Sequence, residues 1–259
     1  MTDPAVELAG FSFWFGDREI LGDLTFAIAR GERVAIIGPN GAGKTTLLKC
    51  LNRILRGGRG RISIEGKPLE RYAQPELARR ISYVPQADGR QAPFTVREFV
   101  GMARYPHLGP LAPEGPADRG AVERALEATG TGGLAERAMD ALSGGERQKA
   151  FLAAALAQEA GILLLDEPTA FLDPPHRAEI FRTLSRVQAE RGSTVLFVTH
   201  DVNDALATSD RVIGLREGAA VFDGPAARLT EDGALRAVYA HEFAVGPHPK
   251  SGRPVVFPE

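Results

Sequence analysis

Three runs of four apolar residues stand out along this chain: Val34-Ala35-Ile36-Ile37, Ile162-Leu163-Leu164-Leu165 and Val195-Leu196-Phe197-Val198. Each is bounded by polar or glycine positions, so each predicts a strand buried on both faces, as in parallel sheets. Softer alternation over residues 6–13 and 24–28 predicts half-buried strands, and residues 5–29 together read as an antiparallel ribbon. Short strands are also predicted over 61–64 and 81–84. Leu47, Leu48, Leu51, Ile54 and Leu55 recur at helical spacing, which predicts a helix over 45–55. Further helices are predicted over 75–80, 96–104, 118–129, 149–158 and 234–239. Another starts at Asp173, a residue suited to capping it. Between 87 and 116 the chain becomes rich in Pro and Gly, and the loop 108–116 is expected to be mobile. Strands alternating with helices, interrupted by a helical stretch, predict an α/β core with a helical insert.

The stretch Gly38-Pro39-Asn40-Gly41-Ala42-Gly43-Lys44-Thr45-Thr46 joins the first buried strand to the helix after it. It fits the phosphate-cradling pattern G-x-x-x-x-G-K-S/T. Gly38, Gly41 and Gly43 let the backbone turn tightly and approach a ligand closely. Amides that open a helix lack intrahelical partners, and the helix dipole is positive there, so the turn predicts an anion site. Lys44 would reach the β- and γ-phosphates of a nucleotide, and the Thr45 hydroxyl would ligate Mg²⁺. Thr46 reads as a phosphate contact or a helix-start hydroxyl. Phe15 can stack on adenine; core packing is the competing reading.

Two other strand and helix ends predict chemistry. Ser143-Gly144-Gly145-Glu146 opens an Ala/Leu-rich helix, a second anion-binding end for the same backbone reasons. The run 162–165 ends in Asp166-Glu167, adjacent carboxylates at the carboxyl edge of a strand, where open α/β sheets bind ligands. The run 194–198 ends in Thr199-His200-Asp201.

Composition narrows the picture only a little. With 259 residues, 44% hydrophobic and 25% charged, this is an ordinary globular chain of one large or two small domains. A net charge of −2 gives no basic excess, so no nucleic-acid partner is indicated. The single cysteine, Cys50, cannot pair internally and reads as a small core residue. No signal-peptide pattern opens the chain, and no apolar run nears the ~18 residues of a membrane span. A cytosolic protein is expected, held at any membrane only by a partner.

Taken in order, the phosphate loop 38–45, Gln86, the LSGGERQ stretch 142–148, the acidic strand 162–167, the Asp173 loop and His200 resemble the motif set of ABC-type ATPases. These are the nucleotide-binding subunits of membrane transporters, and the resemblance runs from about residue 5 to residue 230. It implies a P-loop NTPase (RecA-like) α/β core with an N-terminal antiparallel β ribbon and an inserted α-helical subdomain. On that pattern 1–86 and 161–225 form the catalytic core, 87–160 the helical subdomain, and 226–259 a C-terminal helix and extended tail. ATP and Mg²⁺ are the implied cofactors. Asp166 would hold Mg²⁺ through water, and Glu167 would polarise the attacking water as general base. His200 would contact the γ-phosphate and that water, and Gln86 would sense the γ-phosphate and the metal. Ser143, Gly144, Gly145 and Glu146 would act in trans on the nucleotide of a second copy, in a head-to-tail homodimer with Asp173 at its interface. Integral membrane permease subunits, and indirectly a substrate-binding protein, are the implied partners. The implied location is peripheral, on the cytoplasmic face of the cell membrane.

Phe94-Thr95-Val96-Arg97-Glu98, Ala103-Arg104-Tyr105-Pro106-His107-Leu108 and Ala170-Phe171-Leu172-Asp173-Pro174 resemble importer ATPases for iron-siderophores, haem and cobalamin. That likeness implies Phe94, Val96 and Tyr105 as permease contacts, with core packing the competing reading. Another metal-ion importer, an exporter, or a soluble cassette of DNA repair or translation are the rival readings. His241 and His248 lack a third ligand and do not predict a metal site. The proline-rich segment 241–259 is expected to form an extended arm or an edge strand on the core.

Overall fold

A computed structural model describes residues 3–86, 93–109, 112–170, 172–231, 233–249 and 252–258. Phe171 and residues 110–111 of the loop expected to be mobile lie outside them. The strands are β1 (Val6–Phe15), β2 (Arg18–Ile28), β3 (Arg33–Ile37), β4 (Arg59–Ile64), β5 (Lys67–Pro68), β6 (Ile81–Val84), β7 (Ile162–Asp166), β8 (Thr194–Val198), β9 (Arg211–Arg216), β10 (Ala219–Pro225), β11 (Phe243–Pro247) and β12 (Pro254–Pro258). The helices are α1 (Lys44–Leu51), α2 (Gln74–Ala78), α3 (Val96–Met102), α4 (Pro116–Ala128), α5 (Gly144–Ala157), α6 (Pro174–Arg191), α7 (Val202–Thr208) and α8 (Ala234–Tyr239). The chain divides into two compact units, Met1–Arg71 with Leu196–Glu259, and Tyr72–Val195, the boundary falling inside β8.

In the first unit β1 pairs antiparallel with β2 and β4. Val6, Leu8, Phe11 and Phe13 of β1 are buried, the alternation shifting where the register slips. This is the expected ribbon, extended by β4. A second sheet sets β3 parallel to β9, and β9 antiparallel to β10. Val34, Ala35, Ile36 and Ile37 are all fully buried, as a central parallel strand requires. The helix expected to reach residue 55 stops four residues early. Asn52 closes α1, Arg53 takes a left-handed φ of 60°, and Ile54 emerges at the surface. The tail packs on the core through Val256, but it does not add an edge strand to the core sheets. β11 and β12 pair with each other, Val245 opposite Val256, as a separate hairpin. Pro247, Pro254 and Pro258 explain why, since proline offers no N–H to a longer ladder.

In the second unit β6 runs parallel to β7, and every residue of β7 is buried. Thr95 opens α3 with a reciprocal box: its hydroxyl accepts from the Glu98 amide, and Glu98 Oε2 accepts from the Thr95 amide at 2.8 Å. Arg104 knots α3, α4 and α5 together. Its side chain is 5% exposed; Nε donates to Asp118 Oδ1 at 3.1 Å, and Nη1 donates to Glu159 Oε2 at 2.8 Å and to the Ala157 carbonyl. The Gly115 amide, with Arg104 beside it, holds Asp118 below the usual carboxylate range. Burial raises Glu159, but hydrogen bonds from Arg104 and Arg124 outweigh it, and its net shift is also downward.

Removing one member of a buried ionic cluster leaves the others poorly solvated. Arg104→Ala is therefore expected to cost about 3 kcal/mol at neutral pH, read as a lower urea midpoint. Both acids have depressed folded-state pKa values, so their contribution is complete above the unfolded value and is lost as pH falls. The gap between wild type and variant should shrink as pH drops through about 4. A gap independent of pH would show that packing alone, not charge, is responsible.

Candidate nucleotide site

The glycines of the phosphate loop are dictated by space. After β3 the chain turns through Gly38, at φ 146°, to Gly43, at φ 97°. A Cβ on Gly38 would collide with the Leu215 carbonyl, and one on Gly43 would stand 2.6 Å from Leu21 Cδ2. α1 opens on Gly43, which brings no capping side chain. Such a helix end presents backbone amides and a positive dipole to an anion. Lys44 is buried, and its Nζ donates to the carbonyls of Gly38 at 2.7 Å and Pro39 at 3.0 Å. The ammonium is thus stored inside the loop. Asn40 and Gly41 are exposed at its tip, Pro39, Thr45 and Thr46 are half-buried, and Ala42 packs inward. Phe13 is core, whereas Phe15 is 51% exposed and touches Phe13 only edge-on, at 5.2 Å.

The turn after β8 belongs to the same unit. The Thr199 amide donates to the Ile36 carbonyl at 3.2 Å, and the Asp201 amide donates to Thr199 Oγ1 at 3.0 Å. Asp201 caps α7, accepting from the amides of Asn203 and Asp204. His200 is exposed on this turn.

In the second unit the acidic pair is built from β6 and β7. Asp166 is 1% exposed, and its Oδ2 accepts a hydrogen bond from Tyr83 Oη at 3.1 Å. Burial and the Asp166 charge push the Tyr83 hydroxyl well above its usual range, so it remains a donor. Glu167 sits at φ 50°, in the left-handed region uncommon for non-glycine residues. Its Oε2 accepts from Gln86 Nε2 at 3.1 Å. Gln86, Asp166 and Glu167 are therefore brought together. Tyr83 joins them although nothing in the local sequence marks it; its only signal is a place on the strand that aligns with β7.

Ser143 and Glu146 form a second capping box at α5. Ser143 Oγ accepts from the Glu146 amide, and Glu146 Oε2 accepts from the Ser143 amide at 2.8 Å. That amide bond is the main reason Glu146 titrates below its ordinary value. The Ser143 hydroxyl, free to rotate its proton, retains the chemistry of a donor. Gly144 is exposed, and Gly145 lies against His176 and Leu172. Asp173 caps α6 as expected: its Oδ1 accepts from the His176 amide at 3.0 Å and pairs with the His176 ring. The amide first, then the imidazole, hold its carboxyl below the usual range.

Of the three expected permease contacts, Val96 is fully buried at the start of α3, so the packing reading holds for it. Phe94 and Tyr105 are exposed, as is Met102. Tyr105, Met102, Leu108, Glu98 and Glu114 line a groove of 610 Å³. Cys50 is buried, and burial pushes its thiol up to about 12.

Thr45 in the first unit, and Gln86 and Asp166 in the second, each carry a side-chain oxygen of the kind a hard cation such as Mg²⁺ prefers. Among the described residues no group of three or more His, Cys, Asp or Glu could hold a metal by itself. A Mg²⁺ ion here would share its shell with nucleotide phosphates, as it usually does.

A phosphate loop between a buried parallel strand and a helix defines a P-loop NTPase, and comparison with known proteins narrows the class. A family profile described as ABC transporter matches residues 21–170. The iron(3+)-hydroxamate import ATP-binding protein FhuC of Bacillus subtilis (strain 168) is 37% identical, over 98% of this chain and 94% of its own length. The hemin import ATP-binding protein HmuV of Streptomyces coelicolor is 40% identical, over 96% of this chain and 88% of its own. An inward-facing ABC transporter described as being of metal-chelate type matches with TM-score 0.86 at 26% identity, covering 99% of this chain and 98% of that one. A dimeric, post-hydrolysis structure of the ATP-binding cassette MJ0796, bound to ADP and Pi, matches with TM-score 0.75 at 28% identity, covering 85% and 98%. The chain belongs to the ABC transporter family, as an ATP-binding subunit and ATPase. No helix among the described residues is long and apolar enough to cross a membrane.

Proposed function

We propose that this chain is the ATPase subunit of an importer for an iron-siderophore or haem, working as a head-to-tail pair against a membrane permease on its cytoplasmic face. The observation that carries the cargo is kinship: 37% identity with a hydroxamate-import subunit over 98% of the chain. The chemistry of each residue supports the rest. The loop amides and Lys44 hold the β- and γ-phosphates, with Phe15 stacked on the adenine. Thr45 and Gln86, with Asp166 acting through water, would hold Mg²⁺, which would supply charge neutralisation at the phosphates. Glu167 takes the proton of the attacking water, and His200 donates to the γ-phosphate. Ser143 Oγ–H and the Gly145 amide donate to the γ-phosphate held by the second copy, beside Asp173. ATP thereby adds contacts absent from the open pair, and hydrolysis removes them. The dimeric ADP-bound neighbour supports this pairing. The groove around Met102 and Tyr105, with Phe94, is the surface offered to the permease.

Capture of the tagged full chain from detergent-solubilised membranes, followed by peptide mass spectrometry, is expected to return an integral permease. Loss of the chain is expected to abolish cellular uptake of a labelled iron chelate or haem. Capture of an exporter, with uptake unchanged for siderophores and haem alike, would contradict the proposal.

A further inference from the structure

The C-terminal hairpin is tied, within the first unit, to the segment that carries His200. Asn203 stands three residues after His200, and its side-chain amide pairs with the backbone of Val256. Nδ2 donates to the Val256 carbonyl at 3.0 Å, and Oδ1 accepts from the Val256 amide at 2.8 Å. The asparagine thus stands in for a neighbouring strand at that position, satisfying both backbone groups of a buried residue. The Asn203 amide also donates to Asp201 Oδ1 at 2.9 Å. The segment 199–203 therefore has one attachment on β3, through Thr199, and one on β12, through Asn203. His200 is exposed between them.

The first strand of the hairpin also packs on the end of α8, which lies beside the phosphate loop. Phe243 packs edge-on against Tyr239 and His241, each at 5.5 Å. Tyr239, with Pro39, Asn40, Gly41 and Arg216, lines a cavity of 320 Å³. Its hydroxyl lies beside the Gly38 amide without closing a hydrogen bond.

We propose that Asn203 is a positioning residue: gripped by the C-terminal hairpin, it fixes the 199–203 turn so that His200 stays in place for the γ-phosphate. The hairpin then sets the rate of hydrolysis more than the affinity for ATP. This rests on the reading of His200 as a phosphate contact. A purely structural staple would change stability without separating kcat from KM.

The test is steady-state hydrolysis across a range of Mg-ATP concentrations, to saturation, by full-length wild type, Asn203→Ala, Asn203→Asp and His200→Ala. Loss of two hydrogen bonds predicts a fall in kcat of about tenfold for Asn203→Ala. KM for ATP should stay within about twofold, the signature of a defect outside ground-state binding. Asn203→Asp keeps the acceptor for the Val256 amide and should fall between. Amide exchange over 199–204 should quicken in Asn203→Ala. If His200→Ala hydrolyses like wild type, the His200 reading falls and this inference with it. If His200→Ala is impaired but Asn203→Ala keeps wild-type kcat, whatever its thermal stability, the inference alone is overturned.

Discussion

Glu167→Gln is expected to lower kcat for ATP by about 10²–10⁴-fold, with ATP affinity changed only a few-fold. The substitution removes the one group on the left-handed turn able to take a proton from water. It keeps the side chain's size, so the turn, at φ 50°, has no new steric reason to move. The Gln86 contact at 3.1 Å also survives, since an amide oxygen can accept from Gln86 Nε2 as the carboxylate does. Asp166, held by Tyr83, is untouched. Single-turnover hydrolysis separates the two effects: the chemical step should slow while nucleotide remains bound. A variant that hydrolyses at the wild-type rate would remove Glu167 from the reaction.

The second large effect belongs to Lys44. Lys44→Ala is expected to weaken ATP binding by about 100-fold, the loss of charge-assisted hydrogen bonds to phosphate. The free protein should also lose about 1–3 kcal/mol, because the Gly38 and Pro39 carbonyls lose the donor that now sits between them. Binding then exchanges those carbonyls for phosphate oxygens at the same ammonium. Calorimetric titration with a non-hydrolysable nucleotide, and thermal unfolding without one, read the two quantities separately. Unchanged affinity would mean that the loop does not use its lysine.

Much of this was legible in the sequence for a simple reason: the groups involved are local. The glycine spacing of 38–43 is a contiguous motif that is read without its neighbours, although the atoms that forbid a Cβ at Gly38 and Gly43 belong to Leu215 and Leu21, and the Ser143–Glu146 box spans a single helical start. The runs that became β3, β7 and β8 are apolar on both faces, so their burial needed no knowledge of their neighbours. What escaped is non-local. β9 and β10 were not expected: Ala219–Pro225 is largely exposed and shows no alternation to separate it from a loop, and the buried run of β9 is short and broken by Gly214. Tyr83 meets Asp166 across 83 residues, and Asn203 meets Val256 across 53. No periodicity announces either pair. The early stop of α1 was hidden because Ile54 and Leu55 continue the apolar spacing after the backbone has already turned left-handed at Arg53.

The most direct measurement is the mass of Glu167→Gln in solution, by light scattering, with and without Mg-ATP. A triphosphate held between Lys44 of one copy and Ser143 of another should convert the variant from monomer to dimer when ATP is added. A second substitution, Ser143→Arg, should prevent that conversion. A mass that stays monomeric in saturating ATP, or a dimer indifferent to Ser143→Arg, would contradict the shared-nucleotide mechanism.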